Sequence, residues 1–159
     1  MWDPDRGAPL IARDRSVSVS GISSDALHML AYLEAGDVPP PYLEGILAAA
    51  AQLETEYGFR SYAPGQLDYA PSAYHLGSIW PYEQVFIARG ALRFGLDRVF
   101  QGSVRVLDAL DELGFPEIVV WDGEHLAGGG CDTQLWTCAV PEAFLALLRD
   151  SHGGRPPPD

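Results

Sequence analysis

A stretch between residues 74 and 83 carries the side chains best suited to chemistry on a polar ligand. Tyr74, His75 and Trp80 bring aromatic, imidazole and hydroxyl groups together within seven residues, and Glu83 follows shortly after. Aromatic rings can stack on the apolar faces of ligands, while imidazole and carboxylate groups hydrogen-bond hydroxyls or carry protons. This composition predicts a site that binds a hydroxyl-rich ligand.

Glu117 is the strongest candidate for proton transfer. It lies in an apolar turn after Pro116, where partial desolvation is expected to raise its pKa and make proton transfer easier to tune. The same connection holds three rival carboxylates, Asp122, Glu124 and Asp132. Each rival is more typical of a solvated loop charge.

Three residues in the connections between predicted helices complete the candidate set. Arg60 and Tyr62 follow the second predicted helix, and Trp121 follows Glu117 by four residues. We expect all three to line the same pocket, since binding residues concentrate on loops. A plain packing role is equally consistent with Arg60 and Tyr62.

Structural roles stay open for the central candidates as well. His75 could cap the rim, Trp80 could fill the core, and Glu83 could complement the helix dipole from the first helical turn. His28 lies on an earlier predicted helix, and we interpret it as a hydrogen-bonded structural residue.

Five helices are predicted to position these residues, because apolar residues recur at helical spacing and a glycine ends each of the first four. Ser23 or Ser24 is expected to cap the first helix. Pro81 begins the third, where its missing N–H costs nothing, with Ser78 near enough to cap it. The predicted helices cover residues 23–35, 42–57, 81–95, 96–113 and 141–149.

The connections between these helices alternate in length: short after the first and third, long after the second and fourth. Antiparallel neighbours reverse direction at each link, so both long connections and the N-terminal lead-in should lie on the same rim. The predicted fold class is all-α, a partial α/α toroid (an incomplete six-hairpin barrel) of about five helices with long loops on one rim.

The ends of the chain lack helical periodicity. Residues 1–19 are expected to form an irregular lead-in with one short extended piece, and residues 151–159 a disordered tail rich in glycine and proline. Residues 1–150 are then a single domain. Further short extended pieces are expected at 59–62 and 118–121.

Composition excludes several classes of partner. The formal net charge of −12, from 22 acidic and 10 basic residues, argues against nucleic acid, whose binding needs clustered Lys and Arg. An apolar run of transmembrane length and a signal segment are both lacking, which predicts no membrane contact and a cytoplasmic protein. Cys131 and Cys138 lack the spacing of a zinc site, so we expect free buried thiols, no metal and no cofactor.

A family resemblance appears in the same segments. Residues 74–96 read YHLGSIWPYEQVFIARGALRFGL and resemble the YHxGSxWPxD/E segment and IAxGLxRYGL helix in the C-terminal glucosidase part of glycogen-debranching enzymes, the amylo-α-1,6-glucosidases. Residues 22–33 and 57–64 are similar to that family's SNxGHLLW helix and GIRTLSP loop. Residues 114–118 and 133–144 resemble its LPELF and YPxACSPQAW segments. The matches follow the family's order over most of the chain.

The resemblance implies an inverting glucosidase that hydrolyses α-1,6-glucosidic bonds, with an α-glucan oligosaccharide as its ligand. Glu117 then stands at the position of a catalytic carboxylate. Leu76 replaces an arginine of the family, which leaves the substrate preference open. The implied substrate-binding residues are His75, Trp80, Tyr74, Glu83, Tyr62, Arg60 and Trp121.

Turnover by this chain alone is not expected. Glycoside hydrolysis uses two carboxylates on opposite sides of the bond, and the family places its acid in the N-terminal half of the barrel, which the resemblance does not cover. The missing half, or a further copy in a homo-oligomer, is the implied protein partner. The alternative is a non-catalytic α-glucan-binding or structural remnant of the barrel.

Overall fold

Helices dominate the computed structural model, which describes residues 2–152. Among those residues, five α-helices reach eight residues or more, but they are not the five predicted, because the first predicted helix is a short turn and the fourth is divided in two. The predicted disordered tail lies outside the described residues except for its first two, which belong to the last helix. The helices are α1 (Asp25–His28), α2 (Pro40–Leu53), α3 (Pro81–Arg93), α4 (Asp97–Val104), α5 (Val106–Leu113), α6 (Leu135–Cys138) and α7 (Val140–His152).

The start of α3 matches the prediction in its first residue but not in its cap. Pro81 is the first helical residue, as its fixed backbone angle favours. The Ser78 hydroxyl does not cap the helix; it donates to the Tyr74 carbonyl at 2.7 Å. The Ser24 hydroxyl at the start of α1 likewise leaves the helix end and donates to Glu83 at 2.7 Å. Both predicted side-chain caps are therefore wrong, because the Ser24 hydroxyl has a tertiary acceptor and the Ser78 hydroxyl bonds back to a carbonyl four residues earlier.

Two predicted helices are shorter or interrupted. The first is one α-helical turn followed by a tighter 3₁₀ turn at Met29–Tyr32. That 3₁₀ turn packs on α3 at Gly90, where a Cβ atom would lie 2.8 Å from the backbone nitrogen of Ala31. The fourth is divided into α4 and α5 at Arg105, two residues after Ser103, whose hydroxyl donates to the Val99 carbonyl of its own helix, a bond that often bends helices.

The strands within the described residues form two-stranded antiparallel sheets only. The extended pieces predicted near 59–62 and 118–121 correspond to β6 and β7. Strand β5 pairs with β6, and β7 pairs with β8. The strands are β1 (Trp2–Asp3), β2 (Ala8–Pro9), β3 (Ala12–Asp14), β4 (Val17–Val19), β5 (Glu54–Thr55), β6 (Gly58–Phe59), β7 (Ile118–Trp121) and β8 (Leu126–Gly129).

The N-terminal lead-in is more regular than predicted. Strands β1 to β4 form two hairpins instead of one extended piece. The first hairpin turns at Asp3, whose carboxylate accepts from the backbone N–H of Asp5 at 3.0 Å, and at Gly7, whose φ is +62°. Such an aspartate turn is visible in the sequence, and it could have revealed the hairpin.

The two long connections are hydrogen-bonded to each other. Ile79 and Val119 exchange two backbone hydrogen bonds of 2.8 Å, and Ser61 donates to the Ser78 carbonyl at 2.7 Å. The segment that precedes α3 therefore lies between β7 and the chain that follows β6. This arrangement brings residues 74–80 and 117 to one side of the molecule.

The core lies between the long helices and beneath these connections. Fully burying an aliphatic or aromatic side chain contributes about 1.5–3 kcal/mol, so this core supplies most of the stability. Gly102 allows α4 to approach Phe59, because a Cβ atom there would lie 2.7 Å from the Phe59 ring. The largest fully buried apolar side chains are Phe59, Phe144, Leu27, Leu30, Ile46, Leu53, Ile79, Ile87, Val106, Val119 and Val140.

Candidate functional site

The structure brings four of the predicted site residues together. The Tyr74 hydroxyl donates to Glu117 Oε1 at 2.5 Å. The Tyr74 ring lies with its centroid 4.7 Å from those of both His75 and Trp80, in edge-to-face geometry. Tyr74, His75, Trp80 and Glu117 are called the aromatic–carboxylate cluster below.

The backbone before α3 fixes the position of Tyr74. Its carbonyl accepts from the Ser78 hydroxyl at 2.7 Å and from the Trp80 indole N–H at 2.9 Å. Ile79, between those two donors, pairs with Val119 of β7. Because Glu117 directly precedes β7, the same pairing places its carboxylate beside the Tyr74 hydroxyl.

The Glu117 carboxylate has a second set of donors on the chain that follows β8. The backbone N–H of Cys131 donates to Oε2 at 3.2 Å, and the Cys131 thiol lies 3.5 Å from the same oxygen. The Glu117 N–H donates in turn to the Cys131 carbonyl at 3.0 Å. Both oxygens of the carboxylate are therefore hydrogen-bonded, each to a different connection.

These donors make the predicted pKa direction for Glu117 wrong. The Tyr74 hydroxyl, with the Cys131 N–H and thiol and the Gln134 side chain, lowers the pKa of Glu117 below its usual range, although desolvation acts in the opposite direction. The same hydrogen bond, aided by desolvation, raises the pKa of Tyr74 to about 12. Glu117 is thus ionised at neutral pH, which suits a general base better than a general acid.

Gly130 is the residue that leaves room for this carboxylate. Its φ is +71°, and a Cβ atom there would lie 2.7 Å from the Glu117 Cβ and closer still to Oε2. We expect Gly130→Ala to lower the free energy of unfolding by about 1–2 kcal/mol from the left-handed backbone alone, and to displace the carboxylate. Urea unfolding and the NMR shift of the Glu117 carboxyl measure the two effects.

Gly65→Ala is the matched control for that substitution. Gly65 has a φ of +80°, but a Cβ atom there would have no neighbour within 4 Å. We expect a similar backbone cost and an unchanged Glu117 shift. Equal carboxyl shifts in both variants would contradict the close contact between residues 117 and 130.

Trp80 has little surface to offer a ligand in this structure. It is 8% exposed, and the His75 imidazole stacks on its ring at 5.3 Å with an interplanar angle of 5°. Tyr82 approaches with ring centroids 5.8 Å apart. His75 and Tyr74 are exposed and Glu117 is half-buried, so these three residues form the outward-facing surface of the cluster.

Glu83 belongs to a separate, buried polar group. Its Oε1 accepts from the Ser24 hydroxyl at 2.7 Å and lies 3.5 Å from His28 Nδ1. It is 7% exposed, at the first turn of α3. The structural interpretation of His28 agrees with these contacts, whereas the sequence analysis assigned Ser24 only a capping role.

A band of aromatic rings runs along α3 beside these two groups. Tyr82 contacts Phe86 and Trp136, with ring centroids 6.3 and 5.7 Å apart, and Phe86 contacts His28 at 4.9 Å. Trp136, half exposed on α6, was missed by the sequence analysis. Its place within residues 133–144, which resemble a segment of the family, was the available indication.

The remaining predicted pocket residues lie in other contacts. An Arg60 guanidinium N–H donates to the Tyr69 hydroxyl, and Trp121 packs edge-on against Tyr57 at 5.1 Å. Tyr62 lies against Gly21. The structure thus does not place these three side chains in the aromatic–carboxylate cluster.

The rival carboxylates, Asp122, Glu124 and Asp132, are not part of the aromatic–carboxylate cluster. Asp122 accepts from the N–H groups of Glu124 and His125 at 2.8 Å, and these bonds lower its pKa. Glu124 and Asp132 are exposed on the loop. This agrees with the solvated-charge interpretation.

Potential metal-ligating side chains do not form a site in residues 2–152. No cluster of three or more His, Cys, Asp or Glu in that part of the chain could hold a metal ion. Cys131 and Cys138 are free, as predicted, but both are exposed, so the expectation of burial is wrong. Cys131 follows the glycine-rich end of β8, and Cys138 is the last residue of the short helix α6, so the apolar core covers neither thiol.

The described helices are all too short or too polar to span a bilayer.

Comparison with solved structures shows a fold shared with a glycoside hydrolase. Crystal structures of GH63 mannosylglycerate hydrolase from Thermus thermophilus, in complex with glucose and with Tris, are similar to this chain with TM-scores of 0.71 and 0.73. Sequence identity is 18% in both cases, over 91% of this chain and 34% of the enzyme. The chain therefore spans about a third of these structures. No family model and no curated protein matches the sequence.

Proposed function

We propose that this chain is the C-terminal part of an α/α-toroid glycoside hydrolase, with Glu117 as the general base of inverting hydrolysis. The observation that carries the proposal is the ionised, hydrogen-bonded Glu117 beside exposed aromatic and imidazole groups. The fold shared with a GH63 enzyme supports it. The resemblance of residues 74–96 to amylo-α-1,6-glucosidases assigns α-1,6-linked glucans as the substrate class.

In this role Glu117 removes a proton from the water that attacks the anomeric carbon. An inverting enzyme also needs a protonated carboxylic acid about 6.5–9.5 Å from the base, on the far side of the bond. Glu83 is buried and holds Ser24 and His28, so we do not assign it that role. The acid is instead assigned to the part of the toroid that this chain does not span.

The substrate would rest on the exposed side of the aromatic–carboxylate cluster. The ring nitrogens of exposed His75 offer hydrogen bonds there, and the exposed Tyr74 ring and half-exposed Trp136 offer aromatic surfaces. On the family resemblance, we also propose substrate contacts by Trp80, Glu83, Arg60, Tyr62 and Trp121, and a cytoplasmic location for the protein. Another copy of the chain or the missing half of the barrel is the proposed protein partner.

Hydrolysis assays test this proposal. We expect no measurable glucose release from α-1,6-branched dextrins by the purified chain, because removing general-acid assistance typically costs about two to four orders of magnitude in rate. Co-expression with the chain that supplies the rest of the toroid, taken first from the neighbouring upstream reading frame, should restore release. Isomaltose, maltooligosaccharides and mannosylglycerate, each tested in the same assay, define the bond that is cleaved.

Turnover by the chain alone would contradict the division of the two carboxylates between separate segments. A complex with a correctly assembled partner that cleaves none of these glycosides would contradict the enzyme proposal itself. Assembly is checked independently by size-exclusion chromatography.

A non-catalytic saccharide-binding protein is the second candidate function. The observation that favours it is that the cluster contains a single carboxylate, Glu117, with both of its oxygens already hydrogen-bonded. Titration of Trp fluorescence with maltooligosaccharides separates the candidates when combined with the assay above. Binding without hydrolysis by the assembled complex supports this second function.

A further inference from the structure

We propose that Tyr74 is a positioning residue whose hydroxyl fixes the orientation of the Glu117 carboxylate, and that Trp80 acts on that carboxylate through the Tyr74 backbone. The inference deepens the proposed function and rests on it, since it concerns the group assigned as the base. It gives Trp80 a positioning role in addition to the proposed substrate contact.

The carboxylate needs outside contacts to hold one orientation. The terminal torsion of a glutamate side chain is soft, with a broad distribution of angles. In this structure Oε1 is held by the Tyr74 hydroxyl at 2.5 Å and Oε2 by the Cys131 N–H at 3.2 Å. Rotation about the terminal torsion would break both bonds, so the two donors together define which lone pairs face the ligand.

Tyr74 is itself held by hydrogen bonds more than by burial. Tyr74 is 44% exposed, so packing in the core does not hold its side chain in place. Its carbonyl, however, accepts from both the Ser78 hydroxyl and the Trp80 indole N–H. These two donors anchor the Tyr74 backbone to the residues immediately before α3.

Trp80 is placed to restrain the position of Tyr74. It is the N-cap residue of α3 and is 8% exposed, which ties its position to the helix. Its ring and the Tyr74 ring are in edge-to-face contact, and His75 stacks on its flat face. The indole therefore contacts Tyr74 by both its ring and its N–H, and the tyrosine hydroxyl carries that restraint to Glu117.

Tyr74→Phe isolates the hydroxyl, because the ring contacts with Trp80 and His75 are kept. We expect the titration midpoint of the Glu117 carboxyl to move to higher pH, since the lost donor favours the ionised form. The midpoint is read from carbon-13 carboxyl shifts of the intact chain, with the resonance identified by its loss in Glu117→Gln. Tyr69→Phe is the matched control, as its hydroxyl binds Arg60, and its midpoint should equal that of the wild type.

Trp80→Phe tests the second part of the proposal, that the Trp80 indole acts on Glu117 through Tyr74. It removes the indole N–H while it retains an aromatic ring, and we expect the Glu117 midpoint to rise, by less than in Tyr74→Phe. An unchanged midpoint in Tyr74→Phe, with native amide spectra, would overturn the proposal. If that variant does not fold, an unchanged midpoint in folded Trp80→Phe overturns it equally.

Kinetics of the assembled complex connect the inference to catalysis. Tyr74→Phe should lower kcat by about ten- to a hundredfold, as misplaced catalytic groups do, with little change in KM. The acidic limb of the pH profile should move to higher pH, which a loss of folding would not cause. A shifted carboxyl midpoint without hydrolysis by the wild-type complex would leave the positioning role standing and reject the proposed function.

Discussion

Glu117→Gln in the assembled complex is expected to lower kcat/KM for α-1,6-branched dextrins by about two to four orders of magnitude, the usual contribution of a general base. Glutamine preserves the size of the side chain and can still accept from the Tyr74 hydroxyl, but it cannot take a proton from water. The measurement is glucose release over a range of substrate concentrations. The loss should fall on kcat, because the side chain acts on the water and not on substrate binding.

Glu124→Gln is the matched control for this loss. Glu124 is an exposed carboxylate of the same connection, and its removal changes the net charge by the same amount. We expect activity close to that of the wild type. A Glu117→Gln complex with more than about a tenth of the wild-type activity would mean that another group takes the proton.

Gln84→Leu is expected to lower the free energy of unfolding by roughly 3 kcal/mol, since an unpaired buried polar group costs about 1–3 kcal/mol and this substitution creates two. The Gln84 side chain is fully buried on α3. Its Oε1 accepts from the Phe59 N–H at 2.8 Å, and its Nε2 donates to the Phe59 carbonyl at 2.9 Å. Leucine has a similar size but leaves both backbone groups of Phe59 without these partners.

Urea unfolding followed by circular dichroism measures this change. Gln52→Leu is the control, because Gln52 is exposed on α2 and its amide makes only a local contact with a carbonyl of the same helix. We expect the control to change stability by less than about 0.5 kcal/mol. A similar loss in both variants would mean that helix propensity, and not the Phe59 contact, determines the cost.

The sequence predicted what local patterns encode. Helix α3 begins at Pro81 as expected, because proline favours the first helical position regardless of what the helix contacts. The caps were wrong for a different reason, since the Ser24 hydroxyl has a tertiary acceptor on α3 and the Ser78 hydroxyl bonds back to the Tyr74 carbonyl, and helical periodicity reveals neither bond. Hydroxyl groups choose between local and distant acceptors of similar strength, and the fold decides between them.

The candidate site shows the same limit. The apolar neighbours of Glu117 indicated a raised pKa, yet the pKa is lowered by donors from distant parts of the chain, Tyr74 first and Cys131 after it. The grouping of Tyr74, His75 and Trp80 was predicted because they are close in sequence. Trp121 was expected in the same pocket, but strand β7 carries it away from Glu117 toward Tyr57.

The pairing of Ile79 with Val119 also has a consequence for folding order. Helices α3, α4 and α5 lie between these two residues in the chain, so the pairing, like the contact between Tyr74 and Glu117, closes a long loop at an entropic cost. Contacts of high sequence separation form slowly compared with helices. On the ribosome, α3 can become helical as soon as it emerges, whereas Tyr74 meets Glu117 only after β7 has been synthesised and docked.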